Sequence, residues 1–391
     1  MKRAAAVLLI WALAATGALA QNPVLGHFRA YQAALEQNDL PAAEAAASAA
    51  LAASEARDGD GGSTPVLTLN LATVRFLRGE SANALGPAQR ALALAQAGGE
   101  ASRVSPIQAG LLLGRVELAL ARDAGAARVL AALEAGQDGT LPDDDIYDAA
   151  VHLGQYLTLG ADYARAHQAW SIAANYASSA RSSPAYALAN ARVWQAASMM
   201  LEDTTREGRG RGRLEADTAA QARRGLNEAV ALLQPLAEIE AVDGRMTLAQ
   251  SAYAQALAWR AVLRAKIRSD GVELPADEPE AQGDGAYEID LPASSPQARC
   301  HVRFNYTRDY SLLFPDRALS EGQLAGMAVR FTVDETGQVT ESLPVAVVGR
   351  DDFVRAVENS WRHWRVERLE SSPPNCRMAM TVINSMSFVI S

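Results

Sequence analysis

The sequence predicts two architectures in series: an all-α helical-repeat array, then a small α+β domain of hairpin, helix and strand (ββαβ). Three observations carry this. Residues 23 to 269 keep a helical period that short turns interrupt about every 40 residues, a solenoid spacing. Residues 327 to 333 alternate in two sets, the period of a half-buried strand. Between them, residues 271 to 296 mix Pro, Gly, Asp, Glu and Ser without any period, as a linker does.

The chain has 391 residues, a length that suits two domains better than one. It opens on Lys2 and Arg3, followed by an apolar run from Ala4 to Ala18 and a small-x-small site at Ala18-Leu19-Ala20. That is the layout of a secretory signal peptide, residues 1–20, cleaved before Gln21. A retained membrane anchor is the alternative, and the run is short and Ala-rich for one. No later stretch approaches a membrane span. The expected place is therefore the periplasm, with peripheral association with the envelope left open. A net charge of −9 argues against nucleic acid as the main partner.

The array is read over residues 21–270. Its unit is a helix pair joined by a short turn, with small residues at the contact positions of the second helix. Asn38-Asp-Leu40 precedes Ala43, Ala47 and Ala50; Gly79-Glu-Ser81 precedes Ala84, Ala88 and Ala91. Ala121-Arg-Asp123 precedes Ala126, Leu130 and Leu133, and Ala161-Asp-Tyr163 precedes Ala166, Trp170 and Ala173. Two longer helical segments follow, around 216–239 and 247–267. The fourth unit, with Leu153-Gly154 upstream, resembles a tetratricopeptide repeat, and the others resemble degenerate copies of it. Stacked pairs of this kind bury their apolar faces on one another and usually bind peptides or proteins.

The C-terminal domain is read over residues 298–391, after a linker at 271–297. Met327, Val329, Phe331 and Val333 point one way, and Ala328, Arg330 and Thr332 the other. Asp334-Glu-Thr-Gly337 is a turn signal. Residues 338 to 348 return as a second strand, in which Pro344 implies a bulge or an edge. Phe353, Val357, Trp361 and Trp364 recur on one helical face, with Asp351 or Asp352 as its cap. Residues 377 to 389 are extended again. One helix laid on a three-stranded sheet is expected.

These residues resemble the C-terminal domain of TonB-type periplasmic proteins, over about the last fifth of the chain. The likeness starts at Phe314-Pro315-Asp-Arg-Ala318. It continues through Gly326 to Val339 and closes at Trp361-Arg-His-Trp-Arg-Val366. Phe314 stands where the family usually has Tyr, and Val366 where an aromatic is common. The resemblance implies that the closing strand recruits an extended peptide, such as the TonB box of an outer-membrane transporter. The partner-binding residues it singles out are Phe314, Pro315, Arg377, Ala379, Thr381 and Ile383. It also implies a rival, a TonB-type energy transducer for transport across the outer membrane; that needs an inner-membrane anchor and a long Pro-rich span. A third reading makes the helical array the working surface of an envelope scaffold.

Cys300 and Cys376 are the only cysteines. In an oxidising compartment an even count favours one disulfide over two free thiols. Closing a loop of about 75 residues is worth roughly 4 kcal/mol in the chain-entropy model.

No chemistry is legible, and no cofactor or metal is implied. The five histidines, His27, His152, His167, His301 and His363, form no close ligand pair. Nucleophile elbows and phosphate loops are missing from the sequence. Arg57-Asp-Gly-Asp-Gly-Gly62 lacks the closing Glu of a calcium loop and reads as a turn. Residues 206 to 213, Gly- and Arg-rich, read as a solvated loop rather than a lipid contact. Asp143-Asp-Asp145 reads as a helix start. Trp361 and Trp364 read as core rather than a ligand platform. The expectation is a binding protein and not an enzyme.

Overall fold

A computed structural model describes residues 23–99, 102–205, 212–237, 247–274, 300, 302–305, 325–349 and 351–388. The signal segment 1–20, most of the linker 271–297, the 206–211 loop, and Phe314 and Pro315 lie outside the described residues. The chain divides into two compact units, Met1–Gly160 and Ala161–Ser391.

Among its described residues the first unit holds α1 (Pro23–Glu36), α2 (Leu40–Asp58), α3 (Thr64–Leu77), α4 (Ser81–Gly98), α5 (Pro106–Ala119), α6 (Asp123–Ala135) and α7 (Asp143–Leu159). Its repeat is written in the turns. Asn38, Gly79 and Ala121 adopt the left-handed conformation, at φ 56°, 78° and 52°. Each turn then folds back in the same way. The N–H groups of Asp39, Glu80 and Arg122 bond the carbonyls of Ala34, Arg75 and Glu117 at 2.8–2.9 Å. That satisfies carbonyls the ending helix would otherwise leave open. After the first turn, Asp39 caps α2 by accepting from the Ala42 N–H at 3.0 Å.

The expected small-residue seams are buried: Ala43, Ala47 and Ala50 on α2, and Ala84, Ala88 and Ala91 on α4. On α6 Gly125, Ala126, Val129, Ala132 and Leu133 are buried, and Leu130 is only half-buried. The buried seam there runs through Val129 rather than Leu130, and Gly125 sits where the helices approach closely. A Cβ on Gly125 would lie 2.7 Å from the Leu118 nitrogen and 2.8 Å from the Gly114 oxygen. Asp143, Asp144 and Asp145 fill the first turn of α7, where negative charge suits the helix dipole. The cap itself is Pro142.

The second unit begins with four helices: α8 (Tyr163–Tyr176), α9 (Pro184–Thr205), α10 (Ala216–Ala237) and α11 (Leu248–Asp270). Ala161, at φ 58°, precedes Asp162, which caps α8. Ala166, Trp170 and Ala173 are fully buried. Trp194 stacks on Trp170 at 6.0 Å and meets Trp259 edge-on at 6.3 Å, so one aromatic run crosses α8, α9 and α11. Thr247 and Gln250 form a reciprocal cap at the start of α11.

Among the described residues there follow β1 (Val302–Asn305), β2 (Ala325–Val333), β3 (Val339–Val348), α12 (Asp351–Ser360), β4 (Arg365–Arg368) and β5 (Met380–Phe388). Strands β3, β2 and β5 form an antiparallel sheet in that order. The expected ββαβ order holds for β2, β3, α12 and β5. The pair β1–β4 is an addition the pattern did not show, since four residues are too few for a legible alternation. The helical face was read too long. α12 ends at Ser360, Trp361–His363 is a 3-10 turn, and Trp364 is extended. Trp364 is nonetheless fully buried and meets Phe331 edge-on at 5.5 Å. Trp361 is half-buried, with the Arg362 guanidinium over its ring at 5.5 Å.

The hairpin turn is held by one carboxylate. Asp334 Oδ1 accepts from Thr336 N, Thr336 Oγ1 and Gln338 N at 2.7–3.0 Å. The Thr336 hydroxyl, then the backbone N–H groups, hold this carboxyl below its usual range. Gly337 is needed twice, for its φ of 79° and because the Val366 carbonyl fills the space a Cβ would take. Cys300 and Cys376 are bonded, S–S 2.01 Å, and the Cys300 N–H reaches the Arg377 carbonyl at 3.2 Å. The bond joins the lead-in of β1 to the lead-in of β5.

One expectation is overturned. The sheet is not covered by a single helix. Met327, Val329, Phe331 and Val333 pack with Phe353, Val357 and Trp364 on one face. On the other face Ala328, with Val345, Ala346, Val348 and Ile383, joins the core of α9, α10 and α11. Gly326 lies so close to α11 that a Cβ would stand 2.8 Å from the Val262 nitrogen and collide with the Ala258 carbonyl. The half-buried reading failed because Ala328 and Gly326 look indifferent in sequence, whereas their smallness is what admits a second helix.

Candidate functional site

A three-stranded sheet with both faces covered has only its edges left to offer. Among the described residues these are the outer sides of β3 and β5, and the two differ in ways that bear on pairing. β3 carries Glu341 and Pro344, and its pairing with β2 shifts register between Ala328 and Val329 and again between Thr332 and Val333. Proline, charge and bulges are the devices that blunt an edge. Both readings of Pro344, bulge and edge, apply together.

β5 has none of these. Its sequence, MTVINSMSF, holds no charge, proline or glycine. It pairs with β2 without a break from Met380↔Val333 to Phe388↔Ala325. Nine residues in regular register leave a straight row of N–H and C=O groups on the far side.

The residues singled out from the sequence fall in three places. Thr381 and Ile383 lie on β5, opposite Thr332 and Arg330. Ile383 directs its side chain to the core shared with α11, so its backbone is what the edge presents. Arg377 and Ala379 precede β5. The Arg377 Nε donates to Glu335 at 2.8 Å, and the Ala379 N–H reaches the same carboxylate at 3.4 Å. Arg377 holds the Glu335 carboxyl below its usual range. These two residues therefore position the start of β5. Phe314 and Pro315 lie outside the described residues.

Sequence reasoning missed Arg264. From α11 its Nη2 donates to Ser385 Oγ on β5 at 2.9 Å, a contact between residues 121 apart in the chain. The signal was present only as small residues: Gly326 and Ala328 on the strand, and Ala258, Ala261 and Ala265 on the helix, all buried. A second polar feature lies between α9 and α10. There a 310 Å³ groove is lined by Arg192, Gln195, Met199, Gln221, Arg224 and Glu228. Arg192 is paired with Glu228 at 2.9 Å.

Among the described residues no three His, Cys, Asp or Glu side chains gather to hold a metal ion. Asp58 and Asp60, in the loop weighed as a cation site, are held by Arg57 and Arg90. Burial lowers the pKa of His167, against a smaller opposing pull from Glu202. No helix among the described residues is long and apolar enough to cross a membrane.

No family model matches the chain, and no curated protein matches it. Solved structures resemble its helical part. One is the nearly identical TPR-like repeats of a chain described as a kinesin light chain from Podosopora anserina: 12% identity, TM-score 0.39, covering 55% of this chain and 98% of that one. Another is MamA, at 14% identity and TM-score 0.38, covering 56% of this chain and 97% of that one. A third is BtubC from P. vanneervenii, at 16% identity and TM-score 0.34, covering 63% and 83%. The repeat character itself stands on the turns and seams described above: the chain is a helical-repeat protein with a small three-stranded sheet near its C-terminus.

Proposed function

We propose that this is a non-enzymatic binding module of the cell envelope, exported to the periplasm, whose C-terminal sheet takes an extended peptide as an added strand on β5. The observation that carries the reading is the contrast between the two edges. β3 is blunted by Pro344, Glu341 and two register shifts, whereas β5 is uncharged, proline-free and regular. An added strand draws affinity from main-chain bonds and selectivity from alternate side chains. The resemblance to TonB-type C-terminal domains supports the same strand and suggests the occupant, the TonB box of an outer-membrane transporter. The domain reading that accompanies it is an array at 21–270, a linker at 271–297 and a TonB-like domain at 298–391.

Proline substitution tests the edge. Adjacent residues of a strand point their N–H groups to opposite sides. Proline at Thr381 and, separately, at Val382 therefore removes one outward donor and one that bonds β2. The expected result is that one variant keeps its circular dichroism and melting profile yet loses binding to a TonB-box peptide, read by fluorescence anisotropy. Wild-type protein that binds no such peptide, or a folded variant of each kind that binds as wild type does, overturns the proposal and moves attention to the helical array.

A further inference from the structure

We propose that the groove between α9 and α10 is a second binding site, independent of the sheet edge, and that it takes an uncharged carboxamide, the group that ends a glutamine or asparagine side chain. The residues that matter fall on one face of each helix: Arg192, Gln195, Ala196 and Met199 on α9, Gly225 and Glu228 on α10. The two helices run antiparallel. The end of α9 meets the lead-in of α10 where the Gly212 N–H bonds the Thr204 carbonyl at 3.0 Å, and Arg192 meets Glu228 further along both. The groove is open because its middle is small. A Cβ on Gly225 would stand 3.9 Å from the Ala196 Cβ and 3.7 Å from the Arg192 carbonyl oxygen, in ordinary contact. The volume of 310 Å³ suits one amino-acid side chain with its flanking backbone.

The polar groups set the chemistry. Arg192 is held at two of its three nitrogens. Its Nη1 donates to Gln195 Oε1 at 3.0 Å, and Gln195 Nε2 in turn donates to Ser171 Oγ at 2.9 Å. Its Nε faces Glu228 Oε2 at 2.9 Å as an ion pair, off the line of a hydrogen bond. Among the described residues Nη2 of Arg192 and Oε1 of Glu228 have no partner. The two charges offset each other, and what they leave is a donor group beside an acceptor. A carboxamide is the complement of that pair: its oxygen accepts from Arg192 and its NH2 donates to Glu228. A carboxylate offers no donor and is repelled by Glu228. An ammonium offers no acceptor and is repelled by Arg192. Ala196, Met199 and Gly225 give the methylenes behind the amide an apolar lining.

Capped tripeptides test the site against the full chain by saturation-transfer difference NMR: acetyl-Ala-X-Ala-N-methylamide with Gln, Glu or Met at the centre, and free glutamine beside them. The Gln peptide should bind about tenfold tighter than the Met peptide, which has similar length and no amide, and tighter than the Glu peptide. Free glutamine binding more tightly than the capped peptide supports the site with the free amino acid as its source; weaker binding supports it with a peptide side chain. Glu228→Gln, at an exposed position, leaves Arg192 uncompensated, so the preference should pass to the Glu peptide. A merely structural role for Glu228 would weaken all three peptides alike. Gly225→Ala favours the helix and adds a methyl to the groove, so it should raise the melting temperature yet weaken the Gln peptide. Equal binding of the three peptides by wild-type protein, a wild-type preference for Glu, no binding of any, or a preference unchanged in Glu228→Gln overturns the proposal. The edge reading is judged apart from it, because binding at β5 should be the same in both variants.

Discussion

Strand β2 meets two helices, and it meets them by opposite means. Toward α12 it sends Met327, Val329, Phe331 and Val333, which interlock with Phe353, Val357 and Trp364. Toward α11 it sends Gly326 and Ala328, and the helix comes in until its own backbone is the contact surface. The first interface is filled by side chains and suffers when atoms are removed. The second depends on atoms never being there and suffers when they are added. Side-chain packing and backbone approach are different routes to the same density.

The most severe way to break the comparison is to remove α11. A fragment of residues 298–391 leaves Ala328, Val345, Ala346 and Ile383 without the core they pack on. It should bind a hydrophobic dye and melt without a cooperative transition. A fragment starting at Thr247, which restores the capped helix, should recover a cooperative melt in part. Cooperative melting of the shorter fragment would show that the α11 face needs no cover, and would strengthen the domain boundary proposed at 298.

Single substitutions sharpen the contrast. Trp364→Ala opens a void beside Phe331 and should cost about 3–5 kcal/mol in urea unfolding. Gly326→Val meets backbone rather than a yielding side chain and should cost about 1–3 kcal/mol or more. Gly326→Ala should already be destabilising, although alanine is better suited than glycine to most backbone. If Gly326→Val proved neutral, the close approach of α11 would be wrong. The Cys300–Cys376 bond joins strand lead-ins on the α12 side, so reduction should affect that interface first.

The hairpin turn gives a pH signature. Asp334 is held below its ordinary range chiefly by the Thr336 hydroxyl, and Glu335 chiefly by Arg377. A carboxyl whose folded pKa is depressed adds stability that is complete above its unfolded pKa and is lost as pH falls through the folded one. Stability should therefore decline as pH drops below about 4. Asp334→Ala should flatten that decline, and an unchanged pH profile in the variant would remove Asp334 from the account.

How much of this was legible depended on whether a contact is local. The Asp334–Gly337 turn, the Pro344 bulge and the seams at Ala43, Ala84 and Ala166 were all written within a few residues of themselves. The third seam failed at Leu130, where Val129 is buried instead; the close approach at Gly125 beside it was not legible, because a glycine leaves no periodic mark. Arg264 and Gly326 were invisible for a different reason. Their partners lie across the chain, and neither residue type announces a contact. The candidate edge was legible as a strand through Thr381 and Ile383. That Arg377 and Ala379 serve Glu335 instead needed the fold.

The smallest expected effect separates two reasons for lacking a Cβ. Gly326 and Gly125 lack one because there is no room. Gly79 has open space around it and φ of 78°, so only its backbone conformation calls for glycine. Ala121 occupies the equivalent turn at φ 52° and bears a Cβ in the left-handed region, at a cost of roughly 1–2 kcal/mol. Replacing it by glycine relieves that strain and loosens the unfolded chain by about 0.4–1 kcal/mol. Ala121→Gly should therefore raise stability by under about 1 kcal/mol, and Gly79→Ala should lower it by a similar amount. If Gly79→Ala instead destabilised as much as Gly125→Ala, crowding and not conformation would govern that turn, and the repeat it defines would have to be read another way.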